Sequence, residues 1–189
     1  MKPPAPWTVL GREVVFSGGP IREIARERVR LPNGRVVPDY YRIRMADFAL
    51  VFATVPAGRV LVLRHYRHGP QAICLGFPGG AIADGESPEA AIKRELLEET
   101  GHVSDSWESL GAYVTNANQG CNKAHLFRAH DCTCVAEPQS EDLEDTDVLR
   151  LLPEELLTAS RLGEVGLASH VALLLLATHP GLRSKSVSR

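Results

Sequence analysis

The chain has 189 residues, 44% of them hydrophobic, and a formal net charge of −2 at pH 7. That is enough apolar material for one ordinary globular domain with a real core. The near-balanced charge, with no long basic run, excludes a sequence-independent grip on a nucleic-acid backbone, so no nucleic acid is expected as a partner. The most apolar run, 171–177, is far too short to span a bilayer, and the opening MKPPAPWTVLG has no apolar signal core. No membrane partner and a cytoplasmic location are therefore expected.

In chain order, 7–10 and 13–16 read as a short strand pair or ribbon, broken by Gly18-Gly19-Pro20. Residues 24–31 alternate apolar and charged, Pro32-Asn33-Gly34 is a turn, and 35–44 return as the partner strand. Residues 48–55 form an apolar β-rich run and 59–64 another, separated by Pro56-Ala57-Gly58. A helix follows from Ser87-Pro88-Glu89 to Gly101: Ser87 caps orphan N–H groups, Pro88 suits the first helical position, and Gly101 supplies a left-handed stop. Then come a strand at 107–114, a polar loop at 116–122, a strand at 124–129, an acidic loop at 136–147, and a strand at 148–152. Helices at 153–162 and 169–177 close the fold, and the tail 181–189 is expected to be disordered. This order predicts an α/β fold with a mixed sheet between helices. Trp7, Phe16 and Tyr41 are assigned to core packing, and His125 and His130 to structural roles. Cys74, Cys121, Cys132 and Cys134 lack the companion ligands of a zinc site and read as free thiols of a reducing compartment.

One helix carries more carboxylate than structure needs. Glu95, Glu98 and Glu99 are spaced i, i+3, i+4, which places three like charges on one side. Something positive should sit among them. Two readings stand: a hard divalent cation, which prefers carboxylate oxygens, or a solvated acidic face paired with Lys93 and Arg94.

The surroundings of these glutamates resemble a known pattern. Gly80, five residues, Glu86, seven residues, then Arg94-Glu95-Leu96-Leu97-Glu98-Glu99-Thr100-Gly101 is similar to the Nudix box. Every fixed position matches except the last, where His102 stands for a bulky aliphatic. The likeness extends through Leu61–Arg67, where His65 stands for a glutamine, and through Phe77-Pro78-Gly79-Gly80, where Phe77 stands for a leucine. Gly163 and Glu164 before the last helix also resemble the ADP-ribose pyrophosphatase-like subgroup. The resemblance covers about residues 7–177.

The resemblance implies a Nudix-type α/β/α sandwich with a mixed sheet and an N-terminal β-ribbon. Residues 1–45 would form the ribbon, part of a homodimer and of the substrate pocket, and 46–180 the hydrolase domain. It implies hydrolysis of a pyrophosphate in a small nucleotide: ADP-ribose or a related nucleoside diphosphate sugar, or alternatively a (deoxy)nucleoside triphosphate or dinucleotide polyphosphate. A non-catalytic nucleotide-binding module is the remaining reading. The implied cofactor is Mg2+, with Mn2+ able to substitute, held by Glu95, Glu98 and Glu99 and by a carbonyl at Gly79 or Gly80. Arg94 and Glu86 would tie loop to helix. The general base would be Glu144, with Glu141 second, or a box glutamate such as Glu98.

Arg64 and Arg67 could grip a diphosphate by their planar forks, or be strand-end charges. Strand alternation puts Arg64 with Tyr66 on one face and His65 with Arg67 on the other. The loop with Asn118 and Gln119 could read a base or ribose, or be a plain turn. The subgroup's proline is absent from 115–120.

Overall fold

The computed structural model describes residues 4–139 and 146–182. The chain divides into two compact units, Met1–Asp47 with Val114–Lys123, and Phe48–Tyr113 with Ala124–Arg189.

The first unit is built on an antiparallel meander of β1 (Thr8–Gly18), β2 (Ile21–Arg30) and β3 (Val36–Met45). Instead of the expected short pair, β1 is one strand, bent by irregularities between Val9 and Gly11 and between Val14 and Phe16. Trp7, Phe16 and Tyr41 do not enter a core: they are 51%, 49% and 47% exposed. Among the described residues this unit contains no helix; Ala25 and Val29 are buried, while Trp7 packs edge-on against Tyr40 at 5.4 Å. The unit also holds the tip of a hairpin between β9 (Ser106–Asn116) and β10 (Gly120–His130). The polar loop expected at 116–122 is thus reduced to the turn 117–119.

The second unit is a mixed sheet between helices. β10 runs parallel to β4 (Phe48–Val55), from Ala124 against Phe48 to Ala129 against Ala53. β4 pairs antiparallel with β5 (Arg59–Arg67), and β5 with β12 (Asp147–Leu151). Among the short strands that were not expected are β6 (Ala72–Gly76) on β5 and β7 (Gly79–Ala81) on β4. Alternation along the central strands divides the core. Leu50, Phe52, Val60, Val62 and Leu126 pack with Leu156 of α2 (Pro153–Arg161) and Leu173 and Leu174 of α3 (Ala168–Thr178). Ala49, Val51, Ala53, Leu61 and Phe127 pack with Ala91, Ile92 and Leu96 of α1 (Pro88–Thr100). This is the α/β/α sandwich. Beyond α1, β8 (His102–Val103) pairs with β11 (Thr133–Cys134).

Candidate active site

Helix α1 begins and ends as its sequence dictates. Ser87 Oγ accepts the Ala90 N–H at 3.1 Å, and Gly101, at φ 69°, donates its N–H to the Leu97 carbonyl. Burial of Ala91, Ile92 and Leu96 against the sheet fixes the helix's rotation. That rotation turns Glu99 inward, to 6% exposure, and leaves Glu98 outward.

The positive charge demanded by the glutamates is Arg94. Its Nε and Nη2 donate to the two Glu86 oxygens at 3.1 and 3.2 Å, a two-pronged clamp. Its Nη1 donates to Glu95 Oε1 at 2.8 Å and to Glu98 Oε2 at 2.9 Å, so these carboxylates converge on one nitrogen. Hydrogen bonds to Glu86 foremost, opposed by burial and helped by Glu95 and Glu98, raise the guanidinium pKa above its ordinary value. The Arg94 bond, then the Ala83 N–H, lowers the Glu86 pKa. Lys93 takes no part; it pairs with Glu89 at 2.6 Å.

The strand segment before the helix closes the site. Gly79 donates its N–H to Glu99 Oε2 at 2.7 Å. Gly79 sits at φ 153°, and a Cβ there would stand 2.1 Å from the Ala49 carbonyl oxygen. A Cβ on Gly80 would lie 2.4 Å from Glu95 Oε1, so the Glu95 carboxylate fills the space that glycine leaves. Residues Gly80, Arg94, Glu95, Glu98 and Glu99 are therefore brought together.

The other expected residues are distributed differently. Arg64 donates from Nε and Nη2 to Asp147 Oδ2 at 3.1 and 2.6 Å, across the β5–β12 pair. Arg67 lies on the opposite face, as alternation requires, and its Nε is buried without a hydrogen-bond partner among the described residues. Asn118 and Gln119 belong to the first unit, where Asn116 Oδ1 accepts both their N–H groups at 3.0 and 2.8 Å in a plain turn. Glu141 and Glu144 lie outside the described residues. Just before them, Gln139 donates its N–H to the Glu98 carbonyl at 2.8 Å. His102 is buried in its aliphatic position, with Nδ1 2.6 Å from the Thr100 carbonyl.

The sequence reading gives no role to two further groups. Asp147 emerges as the partner of Arg64 only through strand register. His170, from an apolar helix, receives the Phe77 N–H on Nδ1 at 2.9 Å.

Residues 44–171 match the NUDIX domain family, well over half of the chain. The chain belongs to the Nudix family. Among its relatives, the ADP-ribose pyrophosphatase of Bacillus subtilis (strain 168) is 26% identical over 149 residues, 78% of this chain and 80% of that protein. The ADP-sugar pyrophosphatase of Mus musculus is 34% identical over 119 residues, 60% of this chain and 54% of that protein. A solved structure described as that of an ADP compounds hydrolase aligns with a TM-score of 0.80 over 94% of this chain and 95% of its own; at 22% identity the likeness is one of fold. With every acidic position of the Nudix box present, the chain is a pyrophosphohydrolase.

Nudix hydrolases generally use divalent metal ions, and the donor chemistry here suits one. All candidate donors are oxygens, the choice of hard cations, and the Gly80 backbone closely approaches Glu95. Side-chain placement is another matter: among the described residues no three His, Cys, Asp or Glu side chains stand together at metal-holding spacing. Arg94 holds Glu95 and Glu98, while the Gly79 N–H holds Glu99.

Proposed function

We propose that this enzyme hydrolyses the pyrophosphate bond of ADP-ribose or a related nucleoside diphosphate sugar in an Mg2+-dependent reaction. The observation that carries this reading is the constellation on α1: three glutamates, one arginine joining two of them to Glu86, and a glycine pair pressed against Glu95 and Glu99. The activities for which the bacterial and mouse relatives are named support the substrate class.

Glu95, Glu98, Glu99 and the Gly80 carbonyl would hold the cation, which would neutralise phosphate oxygens and acidify a water. The chain's own residues do the rest by position and charge. Arg94, tied to Glu86, fixes the side chains of Glu95 and Glu98. The Gly79 N–H fixes the Glu99 carboxylate by donating to its Oε2. Glu144 is the leading candidate for the base, with Glu141 and Glu98 as the others. Arg64 and Arg67, on opposite faces of β5, are alternative proposed phosphate grips, and Asn118 and Gln119 the proposed readers of base or ribose. The exposed apolar strands of the first unit support a homodimer, and the free cysteines fit the cytoplasm.

A panel of ADP-ribose, other nucleotide sugars, triphosphates and dinucleotide polyphosphates, assayed with Mg2+ and product identification, tests the reading. Cleavage of the sugar compounds to a nucleoside monophosphate (AMP from ADP-ribose) and a sugar phosphate is expected, with turnover at least about a hundredfold slower in Glu98→Gln. Inert sugars beside a cleaved triphosphate would overturn the substrate class, an outcome that the missing proline in 115–120 keeps in the panel.

A further inference from the structure

The segment that meets the glutamates, 75–80, is pinned by a succession of hydrogen bonds. Leu75 donates its N–H to the Glu164 carbonyl at 2.9 Å, and Phe77 donates its N–H to His170 Nδ1 at 2.9 Å. The Pro78 carbonyl accepts from Val51 N–H at 3.0 Å, and Gly79 donates to Glu99 at 2.7 Å. Of the acceptors, His170 is a side chain from outside the Nudix box, on a helix of its own. It heads the buried stripe of α3 with Leu173, Leu174 and Ala177, so the packing that seats α3 also aims the ring. The ring stacks on Phe77 at 6.0 Å and 16°, and covers Gly76, whose Cβ would meet its Cε1 at 3.1 Å. A side chain at residue 76 would crowd this ring.

We infer that His170 is a positioning residue for the proposed hydrolysis: as a neutral acceptor it fixes the Phe77 amide, and through it places Gly79 and Gly80 against Glu99 and Glu95. The inference rests on the proposed reaction for its catalytic consequence, but not for its geometry. An imidazole that accepts at Nδ1 carries its proton on Nε2. Burial, foremost, with the Arg67 charge and His65 from β5, keeps the ring neutral at pH 7.

Imidazole nitrogen NMR of the full chain at pH 7 should show His170 protonated on Nε2 and bare on Nδ1. A proton on Nδ1 overturns the inference, because that nitrogen could not accept. His170→Leu keeps apolar bulk and loses the acceptor; kcat should fall on the order of tenfold to a hundredfold. KM should stay within about threefold, since positioning acts on the transition state. Amide exchange at Phe77, Gly79 and Gly80 should quicken while β5 and β12 are unchanged. His170→Asn, whose Oδ1 can take the place of Nδ1, should restore most of the kcat and the slow exchange. Wild-type kcat in His170→Leu, or no recovery in a folded His170→Asn, overturns the inference. If His170→Leu does not fold, the wild-type tautomer and the Asn variant decide. If the wild-type enzyme cleaves no nucleotide sugar, the proposed function fails, and exchange at Phe77, Gly79 and Gly80 alone decides the positioning.

Discussion

Gly79 and Gly80 are neighbours with different reasons for being glycine. At Gly80 the atom that a Cβ would strike is Glu95 Oε1, the far end of a flexible side chain. Gly80→Ala should therefore fold with a nearly unchanged melting temperature while pushing Glu95 aside, and turnover should drop at least about tenfold. At Gly79 the obstacle is the Ala49 backbone carbonyl, and φ is 153°. Gly79→Ala should cost more than about 2 kcal/mol of stability by denaturant titration, with activity lost as a consequence. His170 offers a pH-dependent counterpart. Burial, then Arg67 and His65, push its pKa from 6.5 down to about 4. Between these values the unfolded chain binds the proton and the folded one does not, so stability is full above pH 6.5 and declines as pH falls toward 4. The loss approaches about 3 kcal/mol at the lower end. Urea titrations of the wild type and His170→Leu at pH 7, 6 and 5 should show the steeper decline in the wild type.

At the scale of elements, α1 serves two purposes on two faces. Its inner face is core: Leu96 is fully buried, and Leu96→Ala should destabilise by roughly 2–5 kcal/mol. Its other face is organised by Arg94, whose fork reaches Glu86, Glu95 and Glu98 at once. Lysine cannot make that fork. Arg94→Lys should keep the helix, as circular dichroism would show, yet lower kcat by about tenfold or more because the carboxylates lose their common anchor. Wild-type turnover in Arg94→Lys would remove the arginine from that role. The short strand β7 shows how sheet and helix share the site: pairing with Ala49 and Leu50 of β4 aims the Gly79 N–H at Glu99.

At the scale of the molecule, the strands of the first unit expose Val9, Val14, Val15, Phe16, Val36 and Tyr41. A monomer rarely leaves so much apolar strand open, and a second copy of the chain is the proposed cover. Sedimentation should show a dimer, and Phe16→Asp should shift it toward monomer; a monomeric wild type at micromolar concentration would refute the proposal.

The sequence by itself determined the elements that repeat a local rule. Ser87, Pro88 and Gly101 bound α1, the period of three and four put Glu95, Glu98 and Glu99 on one side, and alternation separated Arg64 from Arg67. The spacing from Gly80 to Gly101 carried the family. What it could not contain was anything set by packing between distant segments. Trp7, Phe16 and Tyr41 looked like core because aromatic residues usually are, but their unit contains no helix among the described residues and leaves them about half exposed. β6 and β7 are too short to show a periodicity, and exist because β5 and β4 offer them edges. His170 lies 93 residues beyond Phe77, and only the seating of α3 against the sheet brings its imidazole to that amide. Local preferences wrote the helix that holds the glutamates, while tertiary packing decided what faces them.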